Sequence, residues 1–322
     1  MTTKHPSCRA IERDLVATAT GDVESHATDR VQRHLQTCEP CREEFGRYRA
    51  VDHVARGLRA TPPIDALASS RAGLESRLAD LRQRRVAYRI FPSPLGQILI
   101  GRSEHGIALV EYLGASTSLR ASRLGQADDV EAVEGGPELE RLQRDLLDYI
   151  AGRRRDLDWS LDWRLASSEF ARSVLEATAA IPYGAVSSYA GVARRIGRPS
   201  AVRAVAQALR WNPLPIVVPC HRVIGSSGRL TGYAGDKLGL KQQLLGVEGV
   251  KLHPGRGDVS VAREAMYALG EGASEYCLPT CGDISTRNLS VVTLFASRAD
   301  AEARGLTPCV DCRPDLHPLS AA

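Results

Sequence analysis

Two rhythms of apolar and polar residues organise the middle of this chain. Between 86 and 113, "VAYRIFPSPLGQILIGRSEHGIALVEYL", short β-leaning runs alternate with Pro-Leu-Gly and His-Gly turns, the pattern of a strand meander. From 137 to 153 the spacing changes to Leu139, Leu142, Leu146 and Ile150, one face of a helix. A second helix is predicted from Ser168 to Ala180, stopping at Ile181-Pro182-Tyr183-Gly184. Beyond it, "SSYAGVARRIGRPSAVRAVAQALRWNP" predicts two short helices, with Gly197 capping the first and Pro199 in the first turn of the second. Val202, Val205 and Leu209 then share one face of the second helix, and Arg203, Gln207 and Arg210 share another. Two short helices around a Gly-containing turn form a helix-turn-helix pattern, although shape alone also fits a plain packed pair. The flanks are less regular. Residues 1–55 predict short helices, 56–85 a linker followed by an arginine-rich surface helix, and 115–136 a small, polar, acidic loop.

Composition narrows the class. A chain of 322 residues is long enough for two or three compact units. No run approaches the ~20 apolar residues of a membrane span. The start, "MTTKHPSCRAIERDL", lacks the apolar core of a signal peptide, so a cytoplasmic location with no membrane partner is expected. The net charge is only +4, but it is unevenly spread: residues 164–256 hold 13 Lys/Arg against 4 Asp/Glu. A local surplus of that kind suits a polyanion such as DNA as well as it suits a solvated basic face.

Seven of the eight cysteines fall into two groups with metal-ligand spacing, and Cys220 is left over. It lies in "PLPIVVPCHRVIGSSGRLTGY", at the end of a β-leaning apolar run and beside His221. Thiolate is the nucleophile, so a buried cysteine needs a base or a positive surrounding to react. Adjacent side chains of an extended segment point to opposite faces, so a relay through water to His221, with a carboxylate holding the imidazole, meets the need. Glu248 in "LLGVEG" is the candidate carboxylate. A structural buried cysteine is the alternative. A cysteine protease fits poorly, because its histidine lies far from the cysteine in sequence.

"VVPCHRVIGSSGRLTGYAG", with Asn212-Pro213 upstream, resembles the active-site signature of the O6-alkylguanine-DNA alkyltransferases. The resemblance spans roughly residues 86–251 and includes "SPLG", "IPYGAVSSY" and "LLGVEG". It implies a protein that binds double-stranded DNA through the helix-turn-helix, entering the minor groove, and rotates an alkylated guanine into a pocket. A single displacement then moves the methyl or larger alkyl group irreversibly to Cys220, with O4-alkylthymine as a further substrate. The activity that the resemblance implies is that of a single-turnover methylated-DNA–protein-cysteine methyltransferase. The resemblance also implies roles: Cys220 as acceptor, His221 as its base through a water, Glu248 as the group that orients the imidazole, and Asn212 as a brace of the turn. By the same match Arg203 fills the gap left by the extruded base, Tyr189 gives the leaving base a proton, and Tyr233 belongs to the guanine-binding loop. Gln207, Arg210 and Ser200 count with Arg203 as DNA contacts. Ala234 stands where many relatives have serine.

Cys277 and Cys281, with three residues between them, and Cys309 and Cys312, with two, form a four-thiolate set suited to tetrahedral zinc. "YCLPTC", "RN" and "PCVDCRPD" resemble the zinc domain of Ada-type methylphosphotriester repair proteins, which implies Cys277 as a second methyl acceptor. A purely structural zinc site is the other reading. His34, Cys38 and Cys41 form H-x-x-x-C-x-x-C, and with Cys8 as fourth ligand they resemble the small zinc domain of anti-sigma factors, implying a sigma-factor-like partner. His5 competes with Cys8. The expected fold is therefore α/β and multidomain, in a monomer: an RNase H-like α/β subdomain at 86–163 and a helical helix-turn-helix catalytic domain at 164–253. Zinc domains at 1–55 and 254–322 flank them, with 56–85 as linker and helix. A non-catalytic binder of alkylated DNA and a transcriptional regulator are the competing functions.

Overall fold

The computed structural model describes residues 6–21, 25–59, 64–127, 130–234, 237–254 and 258–319. The chain divides into two units, Met1–Arg77 and Leu78–Ala322. In the first, α1 (Pro6–Thr20), α2 (Ser25–Thr37) and α3 (Glu39–Arg59) gather around a small core of Ile11, Leu15, Val31 and Cys41. The third helix is longer than the short elements expected, and its second half exposes Val51, Val54 and Leu58. Helix α4 (Ile64–Arg84) runs across the division and carries exposed Leu67, Leu74, Leu78 and Leu81.

The meander forms β1 (Arg85–Ser93), β2 (Gly96–Ser103) and β3 (Gly106–Gly114), antiparallel neighbours in sequence order. The loop expected at 115–136 contains one further strand: β4 (Glu131–Glu134) pairs in parallel with β1, giving the order β3-β2-β1-β4. Four residues flanked by acidic and glycine-rich sequence carry too little alternation to declare a strand, and the free edge of β1 supplies the pairing instead. Helix α5 (Pro137–Ile150) buries Leu139, Leu142, Leu146 and Ile150, as their spacing predicts, and also Tyr149.

Helix α6 (Glu169–Ala179) is capped by Ser168, whose hydroxyl accepts from the Ala171 N–H. Strand β5 (Ala185–Ser188) leads into α7 (Tyr189–Arg195), and α8 (Val202–Arg210) follows after the turn. Gly197 sits at φ +71, the left-handed geometry that ends α7. Pro199 lies in the turn and not in the first turn of α8, which begins at Val202. Strand β6 (Val223–Ile224) and α9 (Leu238–Val247) complete this part.

The remaining residues form β7 (Leu252–Pro254), β8 (Val259–Val261), β9 (Tyr267–Gly270), β10 (Glu275–Cys277), α10 (Gly282–Thr286), β11 (Val292–Phe295), α11 (Arg298–Glu302) and β12 (Thr307–Pro308). Strands β7 and β8 pair as a hairpin. The others continue the preceding segment, because β11 pairs antiparallel with β5, giving a sheet in the order β12-β10-β9-β11-β5-β6. One hydrophobic core accordingly includes Leu146, Val174, Leu209, Leu244, Tyr276 and Phe295. The two strands at its β5-β6 end directly precede Tyr189 and directly follow Arg222. No described helix is long and apolar enough to cross a membrane.

Candidate active site

The run ending at Cys220 is a buried loop and not the strand its β-leaning residues suggest. Pro213, Pro215 and Pro219 have no N–H to give to a ladder, and Ile216 takes φ +75, rare for a β-branched residue. The fold of this loop rests on Asn212. Its Oδ1 accepts from the Leu214 N–H at 2.9 Å, and its Nδ2 donates to the Val218 carbonyl at 2.9 Å and to the Cys220 sulfur at 3.2 Å. Residues Cys220–Arg222 then form one 3₁₀ turn, so Cys220 and His221 are not alternating neighbours of an extended chain.

Behind the thiol lies a buried ionic cluster. His221 and Glu248 are 0% and 2% exposed, and Glu248 Oε1 meets His221 Nε2 at 2.6 Å. A carboxylate can only accept, so Nε2 carries the proton and Nδ1 offers the lone pair; among the described residues no group bonds Nδ1. Arg222 donates to both oxygens of Glu248, at 2.9 and 3.1 Å, and the Gly184 N–H donates to Oε2 at 3.2 Å. The Tyr149 hydroxyl donates to Oε1 and accepts from Arg222 at 2.9 Å. Burial alone would raise the Glu248 carboxyl, but His221 and Arg222 outweigh it and hold it at about 2. Burial lowers the His221 pKa against the pull of Glu248, leaving a neutral imidazole able to take a proton.

Burial also pushes the Cys220 thiol up, opposed by the Asn212 hydrogen bond and the positive charge of Lys241. Burial therefore favours the thiol over the thiolate. Lys241 is itself fully buried, donating to the carbonyls of Val223 at 2.5 Å and Thr231 at 3.0 Å, and burial brings it down to about 8.

In front of the thiol is a cavity of about 440 Å³ lined by Cys220, Tyr189, Arg203, Gln207, Arg210 and Tyr233, among others. One wall is α8, whose Arg203, Gln207 and Arg210 are exposed. Tyr189, at the start of α7, points its hydroxyl to the Thr231 carbonyl at 3.4 Å, and burial raises its pKa. Tyr233 is buried, its hydroxyl 2.8 Å from that of Tyr112 and its ring edge-on to His221. Ser200 is exposed in the turn before α8 and does not line the cavity. A second cavity of about 310 Å³, bordered by Trp211 and Pro215, also reaches Cys220.

Tyr149, Arg222, Lys241 and Tyr112 were not expected at the site. Arg222 stands inside the quoted Pro-Cys-His-Arg-Val motif. Lys241 lies three residues before buried Leu244 and seven before Glu248, so a lysine on an apolar helix face was the available signal. Nothing in the local sequence marks Tyr149 or Tyr112 as site residues.

Both cysteine groups come together in space. In Cys8, His34, Cys38 and Cys41, and again in Cys277, Cys281, Cys309 and Cys312, the ligand atoms all lie within 4.8 Å of one another. None of these cysteines forms a disulfide. Tetrahedral zinc with Zn–S near 2.3 Å places sulfurs about 3.8 Å apart, and Cys8 and Cys38 are separated by 3.8 Å. His34 Nε2 is buried with no partner among the described residues, as a metal-facing nitrogen would be. The Leu278 N–H donates to Cys312 at 3.3 Å, the kind of support thiolate ligands receive. Both sets fit zinc. His5 lies outside the described residues.

A buried thiol with an imidazole–carboxylate pair behind it and an open cavity beside a basic helix in front defines a cysteine-nucleophile site. Residues 169–250 match the family model described as 6-O-methylguanine DNA methyltransferase, DNA binding domain. The chain is 39% identical over 164 residues to a methylated-DNA–protein-cysteine methyltransferase of Methanosarcina acetivorans, covering 50% of this chain and 97% of that protein. It is 42% identical over 164 residues to the protein of the same name from Mycolicibacterium paratuberculosis, covering 51% and 92%. Among solved structures, Mycobacterium tuberculosis OGT in complex with DNA is similar at 35% identity and TM-score 0.43, over 51% of this chain and 92% of that one. The chain belongs to the methylated-DNA–protein-cysteine methyltransferase family.

Two outcomes follow for solution measurements. Glu248 is depressed from 4.5 to about 2, so the stability it contributes is present above pH 4.5 and lost as pH falls towards 2. His221, also depressed, adds an earlier loss that begins below its ordinary 6.5. Urea midpoints measured against pH should show both, and Glu248→Gln should flatten the lower part of the curve; an unchanged lower part contradicts the buried pair. Elemental analysis of the purified chain should find two zinc ions, falling to one in Cys281→Ala; one zinc in the wild type contradicts one of the clusters.

Proposed function

We propose that this protein repairs DNA by moving the alkyl group of O6-alkylguanine irreversibly to Cys220. The observation that carries the reading is the position of that thiol, at the meeting point of a cavity walled by α8 and a neutral His221 anchored by Glu248. The exposed basic face of α8 meets the DNA, Arg203 takes the place of the extruded base, and the base enters the cavity. Asn212 and Lys241 stabilise negative charge on the sulfur, and the Cys220 proton passes to His221 Nδ1 through a water. The sulfur attacks the alkyl carbon in line. The S–C bond forms as the C–O6 bond breaks, and O6 keeps the electron pair. Tyr189 gives the developing guanine anion a proton. The imidazolium rests against Glu248, which offsets its charge in a site that is otherwise costly for a cation. A thioether has no base-assisted route back, so each molecule acts once. A non-catalytic reader of alkylated DNA is the competing function, and the presence of Cys220 favours catalysis.

The two metal clusters extend this reading. When bound, zinc would keep the sulfurs of Cys277, Cys281, Cys309 and Cys312 as thiolates and add folding energy to a lightly hydrophobic segment. Cys277, part-exposed, is then a second acceptor, for a methyl group on a DNA phosphotriester. The Cys8, His34, Cys38 and Cys41 cluster ties together a helical unit whose small core needs such a staple. That unit docks a sigma-factor-like protein, a reading supported by the exposed Val51, Val54 and Leu58 on α3 and the exposed Leu67 and Leu74 of α4.

Incubation with an O6-methylguanine duplex should add one methyl group to the peptide containing Cys220, and label on Cys277 should require a methylphosphotriester. Cys220→Ala should lose guanine repair and keep DNA binding; repair by that variant contradicts the assignment. Arg203→Ala should slow repair in duplex by about tenfold or more while sparing the free base. Equal losses on both substrates contradict its role in the vacated stack.

A further inference from the structure

The C-terminal cysteine-rich segment and the catalytic relay share a single turn. Pro182, Tyr183, Gly184 and Ala185 form it, with the Ala185 N–H donating to the Pro182 carbonyl at 3.1 Å and Gly184 at φ +70. That is the third position of the turn, where a type II geometry requires positive φ. The Gly184 N–H is one of the donors that hold Glu248. Its carbonyl accepts from the Ala296 N–H at 2.7 Å, directly after β11, and β11 pairs with β5 through Phe295–Ala185 and Leu294–Val186.

Asp300, at the start of α11, closes the remaining side. It is a buried carboxylate, 8% exposed, and its Oδ2 lies only 2.6 Å from where a Cβ on Gly184 would stand. It is fixed there by Ser297 at 2.5 Å and by Arg155 at 2.8 Å. Arg155 also lies over the ring of Tyr183, whose hydroxyl donates to the carbonyl of Val247, next to Glu248. The peptide that orients Glu248 is thus clamped on one face by residues 292–300, which belong to the cysteine-rich segment.

We propose that this segment is a working part of the alkyl-transfer site, with Asp300 as a positioning residue that sets Gly184 and through it the Glu248–His221 pair. The proposal rests on guanine repair at Cys220. It gives the segment a task independent of any methyl acceptance at Cys277. His221 faces Glu248, Arg222 and Lys241 as charged groups and the ring of Tyr233. Of these only Glu248 raises its pKa, so a slackened Glu248 leaves the imidazole a weaker base with a lower pKa.

The test uses the full-length chain as wild type, Asp300→Asn, Asp300→Ala and Glu302→Gln. Glu302 shares α11 but bonds Tyr276 and Arg298 away from Gly184. Single-turnover transfer from an O6-methylguanine duplex is followed across the range of imidazole titration, with duplex affinity measured alongside. Asp300→Ala should slow transfer by about tenfold, move the acid limb of the rate profile to lower pH, and leave affinity unchanged. Asp300→Asn, which keeps the size and the Ser297 contact, should fall between it and the wild type, and Glu302→Gln should match the wild type. Wild-type transfer by Asp300→Ala, or slower transfer with the acid limb unmoved, overturns the coupling. A wild type that takes up no methyl overturns the repair reading itself.

Discussion

The structure of the site depends on one buried carboxylate. Glu248, at the end of α9, receives His221, Arg222, Tyr149 and the Gly184 N–H, and these come from three other places in the chain: the 3₁₀ turn of Cys220, α5 and the turn before β5. An ion taken out of water is costly unless its partners are complete, and removing one partner of such a pair typically costs about 3–5 kcal/mol. The cluster therefore fixes how these elements meet. Short elements such as β5 and β6, of four and two residues, gain a defined position that their own pairing would not give.

The same cluster explains how a thiol can be both inert and ready. Burial keeps Cys220 protonated and keeps His221 neutral, so the free protein holds an acid and a base without a standing charge between them. Asn212 and Lys241 favour the thiolate once it forms, and Glu248 favours the imidazolium. In the reaction proposed above, the separated pair would be stabilised from both ends.

Much of this was legible locally. The meander, α5, α6 and the paired helices follow from spacing and caps, and the cysteine groups from ligand intervals. What sequence could not carry was distance. Arg222 is visible in the motif, but its tie to Tyr149 joins residues 73 apart. The pairing of β11 with β5 joins strands of four residues each, too short for alternation to declare, and makes the segment after 254 continuous with the catalytic sheet. The β-leaning run before Cys220 misled because prolines and the Asn212 bonds overrode residue preference. Lys241 was hidden by the habit of assigning lysines to the surface.

The central claim is that the Glu248–His221 pair drives ionisation of Cys220. It is tested most directly by the single-turnover rate of methyl transfer from an O6-methylguanine duplex in Glu248→Ala against the wild type, at saturating DNA. A general base that loses its anchor should slow transfer about a hundredfold or more while the duplex is still bound. Transfer at the wild-type rate by that variant would contradict the account.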